Sequence, residues 1–326
     1  MLNDRHGRKI HYLRISLTDM CNLRCVYCMP EDMKFRPDPE LMSEREVLRL
    51  ADLFAGFGFN KFRLTGGEPT LRPDLVSIVR HLKQTPGAAS IAMTTNAVHL
   101  RHLAAPLADA GLQRVNISVD TLNPEKFKQM TRWGNVSDVL DGIDAAETHG
   151  LEVKLNAVVV RGFNDKKDVV QLAELSREHS WQIRFIEIMP FGSVAAFQKE
   201  HIVSEKELRA TIEEGLGPLA LQNKGELDGE ARVFKLENAR GSVGFISSVT
   251  APFCAGCNRV RLTADGKLRL CLLRDREVDL LTPLRAGADD ESLRDLIQRG
   301  IHNKPWGHGL AQDVHPKLRV MSEIGG

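Results

Sequence analysis

The stretch HYLRISLTDMCNLRCVYC, residues 11–28, decides how the rest of the chain is read. Its first half, His11 to Leu17, alternates apolar Leu13, Ile15 and Leu17 with polar Arg14 and Ser16, the pattern of a strand with two unlike faces. Its second half sets Cys21, Cys25 and Cys28 in a C-x3-C-x-x-C array just beyond that strand. In a parallel α/β sheet the loops that follow the strands gather at one end, so a reactive array placed there points to an active site.

Working outward, the strand–helix unit recurs. Lys61 to Thr65, Ser90 to Thr95, Arg114 to Val119, Glu152 to Val160 and Gln182 to Met189 read as further strands. Ser43 with Glu46 and Ser204 with Glu207 are capping boxes, and Asn164 and Asp165 offer caps for a helix running toward His179. Six such units end by about residue 217, short of the eight strands of a closed barrel. The expected fold is therefore α/β, a partial (β/α)6 TIM-type barrel over residues 1–217 with an open side. The Gly217-Pro218 pair breaks the pattern. Residues 218–326, with short strands Val233 to Leu236 and Val243 to Ser248, read as a C-terminal extension that covers the opening and carries a second metal site. Between them Lys224 to Ala231, charged and Gly-containing, reads as an exposed turn of freely variable length.

Composition narrows the function. Against 326 residues stand 44 Lys+Arg and 43 Asp+Glu, a net charge of +1, which excludes a generally basic nucleic-acid binder or a polybasic membrane binder. No run approaches the roughly 18 apolar residues of a membrane span. Met1 to Lys9 is polar, so no signal peptide is expected, and a reducing cytoplasmic setting would keep the thiols free.

The six cysteines form two triads, the second being Cys254, Cys257 and, after thirteen intervening residues, Cys271, with none left over for a disulfide. Buried small hydrophobes and structural zinc are the plain alternatives, with His302 or His315 able to complete a zinc set at the second triad. Three thiolates also suit an iron–sulfur cluster with one iron left open, as a catalytic zinc keeps one position open. Other strand-end residues converge on the same mouth: Thr65-Gly66-Gly67-Glu68-Pro69, Thr94-Thr95-Asn96, Ser118 with Asp120, and Met189-Pro190. No P-loop and no GxGxxG after a strand is present, so any nucleotide chemistry is not of the hydrolytic type.

The cysteine array with Tyr27, together with Thr65 to Pro69, resembles the signatures of the radical S-adenosylmethionine (SAM) superfamily. Leu13 to Ser16, Cys28-Met29-Pro30, Phe62 to Pro69, Arg184-Phe185-Ile186-Glu187, Cys254 to Leu262 and the terminal Gly325-Gly326 are similar to the GTP 3′,8-cyclases, which open molybdenum cofactor biosynthesis. The resemblance implies two 4Fe-4S clusters, one on Cys21, Cys25 and Cys28 to cleave SAM, one on Cys254, Cys257 and Cys271 whose open iron takes guanine. It implies SAM contacts at Tyr27, Gly67, Ser118 and Met189, with Gly67 letting backbone approach the ligand. It implies GTP contacts at Arg14, Arg63, Thr94, Lys154, Arg259 and Arg261, and a Gly325-Gly326 tail reaching the site. The implied product is (8S)-3′,8-cyclo-7,8-dihydroguanosine 5′-triphosphate, handed to a cyclic pyranopterin monophosphate synthase. An electron donor and a homodimer are implied too, and neither nucleic acid nor membrane. Ala97 stands where the family more often has Gly, which is expected to stiffen that loop. Two other readings remain: a radical SAM enzyme of another kind, such as a peptide-modifying one, or a zinc-stabilised module touching nucleic acid through Arg259, Arg261 and Arg269.

Overall fold

The computed structural model describes residues 2–223, 229–310 and 314–325. After a short hairpin (Leu2–Asn3 with Lys9–Ile10), the strands are β1 (Tyr12–Ser16), β2 (Lys61–Thr65), β3 (Ser90–Thr95), β4 (Arg114–Ser118), β5 (Glu152–Val159) and β6 (Gln182–Glu187). They continue with β7 (Leu219–Leu221), β8 (Arg232–Leu236), β9 (Ser242–Ile246), β10 (Arg259–Leu262), β11 (Lys267–Arg269) and β12 (Glu277–Asp279). Helices α1 (Glu44–Gly56), α2 (Leu75–Gln84), α3 (Leu100–Asp109), α4 (Pro124–Thr131), α5 (Val136–Thr148) and α6 (Lys167–Glu178) connect the first six strands. Then come α7 (Ala195–Glu200), α8 (Glu205–Leu216), α9 (Leu281–Arg285) and α10 (Asp290–His302).

Alternation along each strand builds the layers. Leu13 and Ile15, Phe62 and Leu64, Val115 and Ile117, Val153 and Leu155, and Ile183 and Phe185 join one apolar core with the helices. Each such side chain contributes roughly 1.5–3 kcal/mol when fully buried. The residues between them, Arg14, Arg63, Asn116, Asn156 and Arg184, face the opposite side.

The twelve strands make one sheet in the order β12-β11-β10-β1-β2-β3-β4-β5-β6-β9-β8-β7. β1 to β6 are parallel neighbours, but the parallel run does not stop there: β9 lies parallel to β6, and β10 parallel to β1. Eight consecutive parallel strands result, and among the described residues no pairing joins the two ends of the sheet. The residues after 217 therefore do not simply cover an opening; they lengthen the sheet at both edges, each capped by an antiparallel pair.

Both capping boxes form, at Ser43 with Glu46 and at Ser204 with Glu207. Asn164 and Asp165 do not cap α6, whose N-cap position is Lys166 and has no side-chain cap. Asn164 instead accepts from Val160 N and donates to the carbonyls of Asp120 and Val158, and Asp165 accepts from Gly162 N. Short polar side chains satisfy whichever nearby backbone groups lack partners, and here those belong to the strand end. Among the described residues no helix is long and apolar enough to cross a membrane.

Candidate active site

One cavity lies at the strand ends of β1 to β6 and collects most of the chemistry-bearing residues. It is lined by Cys21, Cys25, Cys28, Tyr27, Gly67, Ser118 and Met189 on one side and by Arg14, Arg63, Thr94, Arg259 and Arg261 on the other. Lys154, buried in β5, is not part of this lining; its ammonium lies 3.6 Å from Glu152 Oε1. Cys254, Cys257 and Cys271 line a second, adjoining cavity, and Arg259, Arg261, Phe253 and Leu272 border both.

The loop after β1 lies directly on the loop after β2. Gly67 N donates to Thr18 O and Glu68 N to Met20 O, each at 2.7 Å. A Cβ on Gly67 would stand 2.2 Å from Met20 O and 2.4 Å from Asp19 O. The glycine is thus required by the backbone of the cysteine loop, and it also lines the cavity. Glu68 is the staple beneath: it accepts from Thr70 N, the Thr70 and Thr95 hydroxyls and Asn96 N. Tyr27 donates its hydroxyl to Asp120 at 2.7 Å, and Asp120 also accepts from Val158 N. Burial lifts the Asp120 carboxyl to about 6, against these two hydrogen bonds.

Cys21, Cys25 and Cys28 are free thiols on the wall of the first cavity, and Cys254, Cys257 and Cys271 are free thiols on that of the second. Burial pushes the Cys21 thiol up to about 11 and Cys28 to about 12, with Cys25 also raised well above its ordinary value. After burial, the nearness of Cys28 to Cys25 and of Cys21 to Cys28 adds to the rise, so three thiolates here call for a cationic partner. Backbone donors are already aimed at several sulfurs: Leu23 N at Cys21 (3.4 Å), Ser322 N at Cys28, Arg259 N at Cys257 and Leu273 N at Cys271. Hydrogen bonds to sulfur are one of the means by which a protein tunes an iron–sulfur cluster. At the second triad burial opposes ionisation of Cys257, but Lys304 and Arg259 outweigh it and lower its pKa. Among the described residues no three His, Cys, Asp or Glu side chains converge as ligands of a single ion do.

Neither His302 nor His315 lines the second cavity; His308 does. The spacing signal missed it because Lys304-Pro305-Trp306-Gly307, which precedes His308, carries no metal-ligand pattern. The N-terminal hairpin, read from sequence only as a polar start, holds this cysteine loop: Arg8, paired with Asp4, donates to the carbonyls of Cys254, Pro305 and Trp306.

The arginines owe their grouping to register. Arg261 pairs with Arg14 across β10 and β1, and Arg14 with Arg63 across β1 and β2, so all three share one face in a row. Arg184 of β6 completes the lining; sequence reading quoted it without giving it a role. It donates to Asn116. Arg269 is fully buried and paired with Glu277 at 2.6 Å and Asp275 at 3.5 Å, so it offers nothing to nucleic acid. The segment expected to be an exposed turn also departs from that reading. Residues 224–228 lie outside the described residues, but Glu230 and Ala231 are buried, and Glu230 pairs with Arg259 among the arginines. Gly325 reaches the same place, its carbonyl accepting from Arg261 (2.7 Å) and Arg14 (3.5 Å); Gly326 lies outside the described residues.

With this geometry in view, comparison with known proteins is direct. Residues 15–175 match the Radical SAM superfamily and residues 181–310 match Molybdenum Cofactor Synthesis C. A GTP 3′,8-cyclase of Thermodesulfovibrio yellowstonii is 45% identical over 328 residues, covering 100% of both chains. One from Moorella thermoacetica is 44% identical over 327 residues, again with full coverage of both. Streptococcus suis SuiB, solved bound to the precursor peptide SuiA, superposes with a TM-score of 0.61 at 13% identity, over 92% of this chain and 66% of that one, which is a likeness of fold alone. Full-length identity at that level means that the chain belongs to the GTP 3′,8-cyclase family of radical SAM proteins.

Proposed function

We propose that this protein converts GTP to (8S)-3′,8-cyclo-7,8-dihydroguanosine 5′-triphosphate, the first step of molybdenum cofactor biosynthesis. The observation that carries the proposal is a single cavity that runs from the first cysteine triad to a row of arginines and adjoins the second triad. SAM belongs at the Cys21, Cys25 and Cys28 end, where Tyr27, Ser118 and Met189 face it; the triphosphate belongs at the arginines, whose guanidinium forks match phosphate oxygens in pairs. The cluster of the first triad, when bound, supplies the electron that activates SAM for hydrogen abstraction. The chain's own part is to hold ribose between the two ends and keep out water. Half-buried Thr94, whose buried hydroxyl oxygen has no partner, lines that middle ground and is suited to a ribose or base oxygen.

The second triad, in this reading, holds a second 4Fe-4S cluster whose open iron takes guanine. Residues 1–217 then handle SAM, and residues 218–326 bring guanine and phosphate contacts to it. Product hand-off to a cyclic pyranopterin monophosphate synthase, an electron donor and a homodimer belong to the same proposal. One observation favours another reading of the second triad alone: His308 shares its cavity, and its Nε2 is buried without a partner, which would complete a Cys3His zinc set. Metal analysis separates them, since two clusters require about eight irons per chain with matching sulfide.

Anaerobic assay of the iron- and sulfide-loaded protein tests the function, following 5′-deoxyadenosine with and without GTP. GTP-dependent formation with loss of GTP is expected. Cys25→Ser should abolish SAM cleavage, while Cys257→Ser should leave some uncoupled cleavage and abolish GTP turnover. SAM cleavage indifferent to GTP in the unsubstituted protein would discard the substrate.

A further inference from the structure

The arginine end of the cavity contains an anion of its own. Arg14, Arg63, Arg184, Arg259 and Arg261 line it. Like charges placed side by side across neighbouring strands destabilise a sheet. Burial and the nearness of Arg63 bring both Arg14 and Arg184 down to about 10, a sign of that strain. Of the other acids lining the cavity, Glu68 and Asp120 are bound as described above, and Glu187 is taken by Val249 N, Thr250 N and the Thr250 hydroxyl. Among the described acids of the lining, Glu230 is the one that pairs with the arginines, contacting Arg259 and lying 3.9 Å from Arg14, with a side chain only 7% exposed.

Glu230 does not belong to the strands that carry those arginines. It sits just before β8, at the end of the connection from β7. Its seat is cut by Gly244 of β9: a Cβ there would come within 3.2 Å of the Ala231 methyl and 3.1 Å of Arg184 Cγ. The backbone thus makes room both for the Arg184 stem and for the segment that delivers the carboxylate. To a guanidinium fork, a carboxylate and a phosphoryl group offer the same paired oxygens.

We infer that the Glu230 carboxylate stands in for a phosphoryl group of the substrate, holding the arginines together before GTP arrives and leaving when the triphosphate takes its place. This rests on the reading that the arginines are the triphosphate end. Displacing a buried, paired carboxylate costs free energy, so Glu230 weakens binding of the triphosphate while keeping its site assembled, and it returns to help expel the product.

The test uses cluster-loaded protein and two probes, GTP and inorganic tripolyphosphate, by calorimetry at fixed salt. Glu230→Gln should bind both about tenfold or more tightly than the unsubstituted protein, and without ligand it should melt at a lower temperature, a gap that saturating tripolyphosphate closes. Hydrogen exchange on the unsubstituted protein supplies a readout that needs no variant: residues 229–232 should exchange faster with tripolyphosphate bound, while β1 and β10 exchange more slowly. Equal affinity in the two proteins, or slower exchange at 229–232, overturns the role of Glu230. If the unsubstituted protein binds neither probe, the triphosphate assignment of the arginines falls, and the inference with it.

Discussion

At the scale of single residues, two small residues thirty positions apart, Gly67 and Ala97, obey different constraints. Ala97 has φ 62, in the left-handed region, and is fully buried. That conformation costs a non-glycine residue roughly 1–2 kcal/mol. Its methyl, however, fills space against α5, where a Cβ on Gly142 would already meet the Ala97 methyl at 3.0 Å, and burying a methyl is worth about 0.8 kcal/mol. The terms nearly cancel, so Ala97→Gly should change unfolding free energy by less than about 1 kcal/mol in a denaturant titration. A larger gain would mean that strain dominates. The expectation that Ala97 merely stiffens its loop missed the neighbour across from it. Gly67 likewise was legible as a constrained glycine, but sequence could not supply the constraint that the structure adds, because the carbonyls it must clear belong to a loop some forty-seven residues earlier in the chain. A motif announces that backbone comes close; it does not say to what.

At the scale of elements, α1 shows how one carboxylate serves two partners. Glu46 closes the α1 capping box and also takes a forked contact from Arg285 of α9, at 2.7 and 3.0 Å. Hydrogen bonding from Arg285 first, with Ser43 assisting against partial burial, draws its pKa from 4.5 to about 2. A folded-state pKa below the unfolded value gives stability that is complete above pH 4.5 and is lost as pH falls toward 2. Glu46→Gln keeps the capping geometry and removes the charge. It should therefore cost on the order of 1–2 kcal/mol at neutral pH, after discounting for the exposed Arg285, and the difference should shrink to nothing near pH 2. A pH-independent difference would place the effect in packing rather than charge. The cap was readable from Ser43 and Glu46 alone, as were the six strands, because both follow from local spacing. Asn164 and Asp165 were misread because the same residue types serve a strand end as readily as a helix start, and only the orphaned donors nearby decide.

At the scale of the molecule, the residues after 217 were the least legible. Short strands such as β9 and β10 carry no signal of where they will pair, and sequence places them in a separate cover rather than at the two edges of the same sheet. Glu230 was hidden for the same reason: a charged stretch beside a glycine looks like any solvated turn until the arginines across from it are known. The consequence is measurable. A chain ending at residue 217 would expose β1 and β6 as bare parallel edges, which invite pairing with other chains. It should elute as a broad, concentration-dependent assembly, whereas the full chain elutes as a defined species. A monodisperse short chain would show that residues 1–217 are self-sufficient.

Register also sets a clock. Tyr12 pairs with Arg259, so β1 lacks one of its neighbours until some 247 further residues have been synthesised. Closing so long a loop is slow compared with zipping the local strand–helix units. On the ribosome, the first cysteine loop is therefore complete long before the β10 edge that lies beside it. Until β10 is seated beside β1, Cys21, Cys25 and Cys28 are thiols open to solvent and oxidant, and their exposure lasts as long as the wait for residue 259.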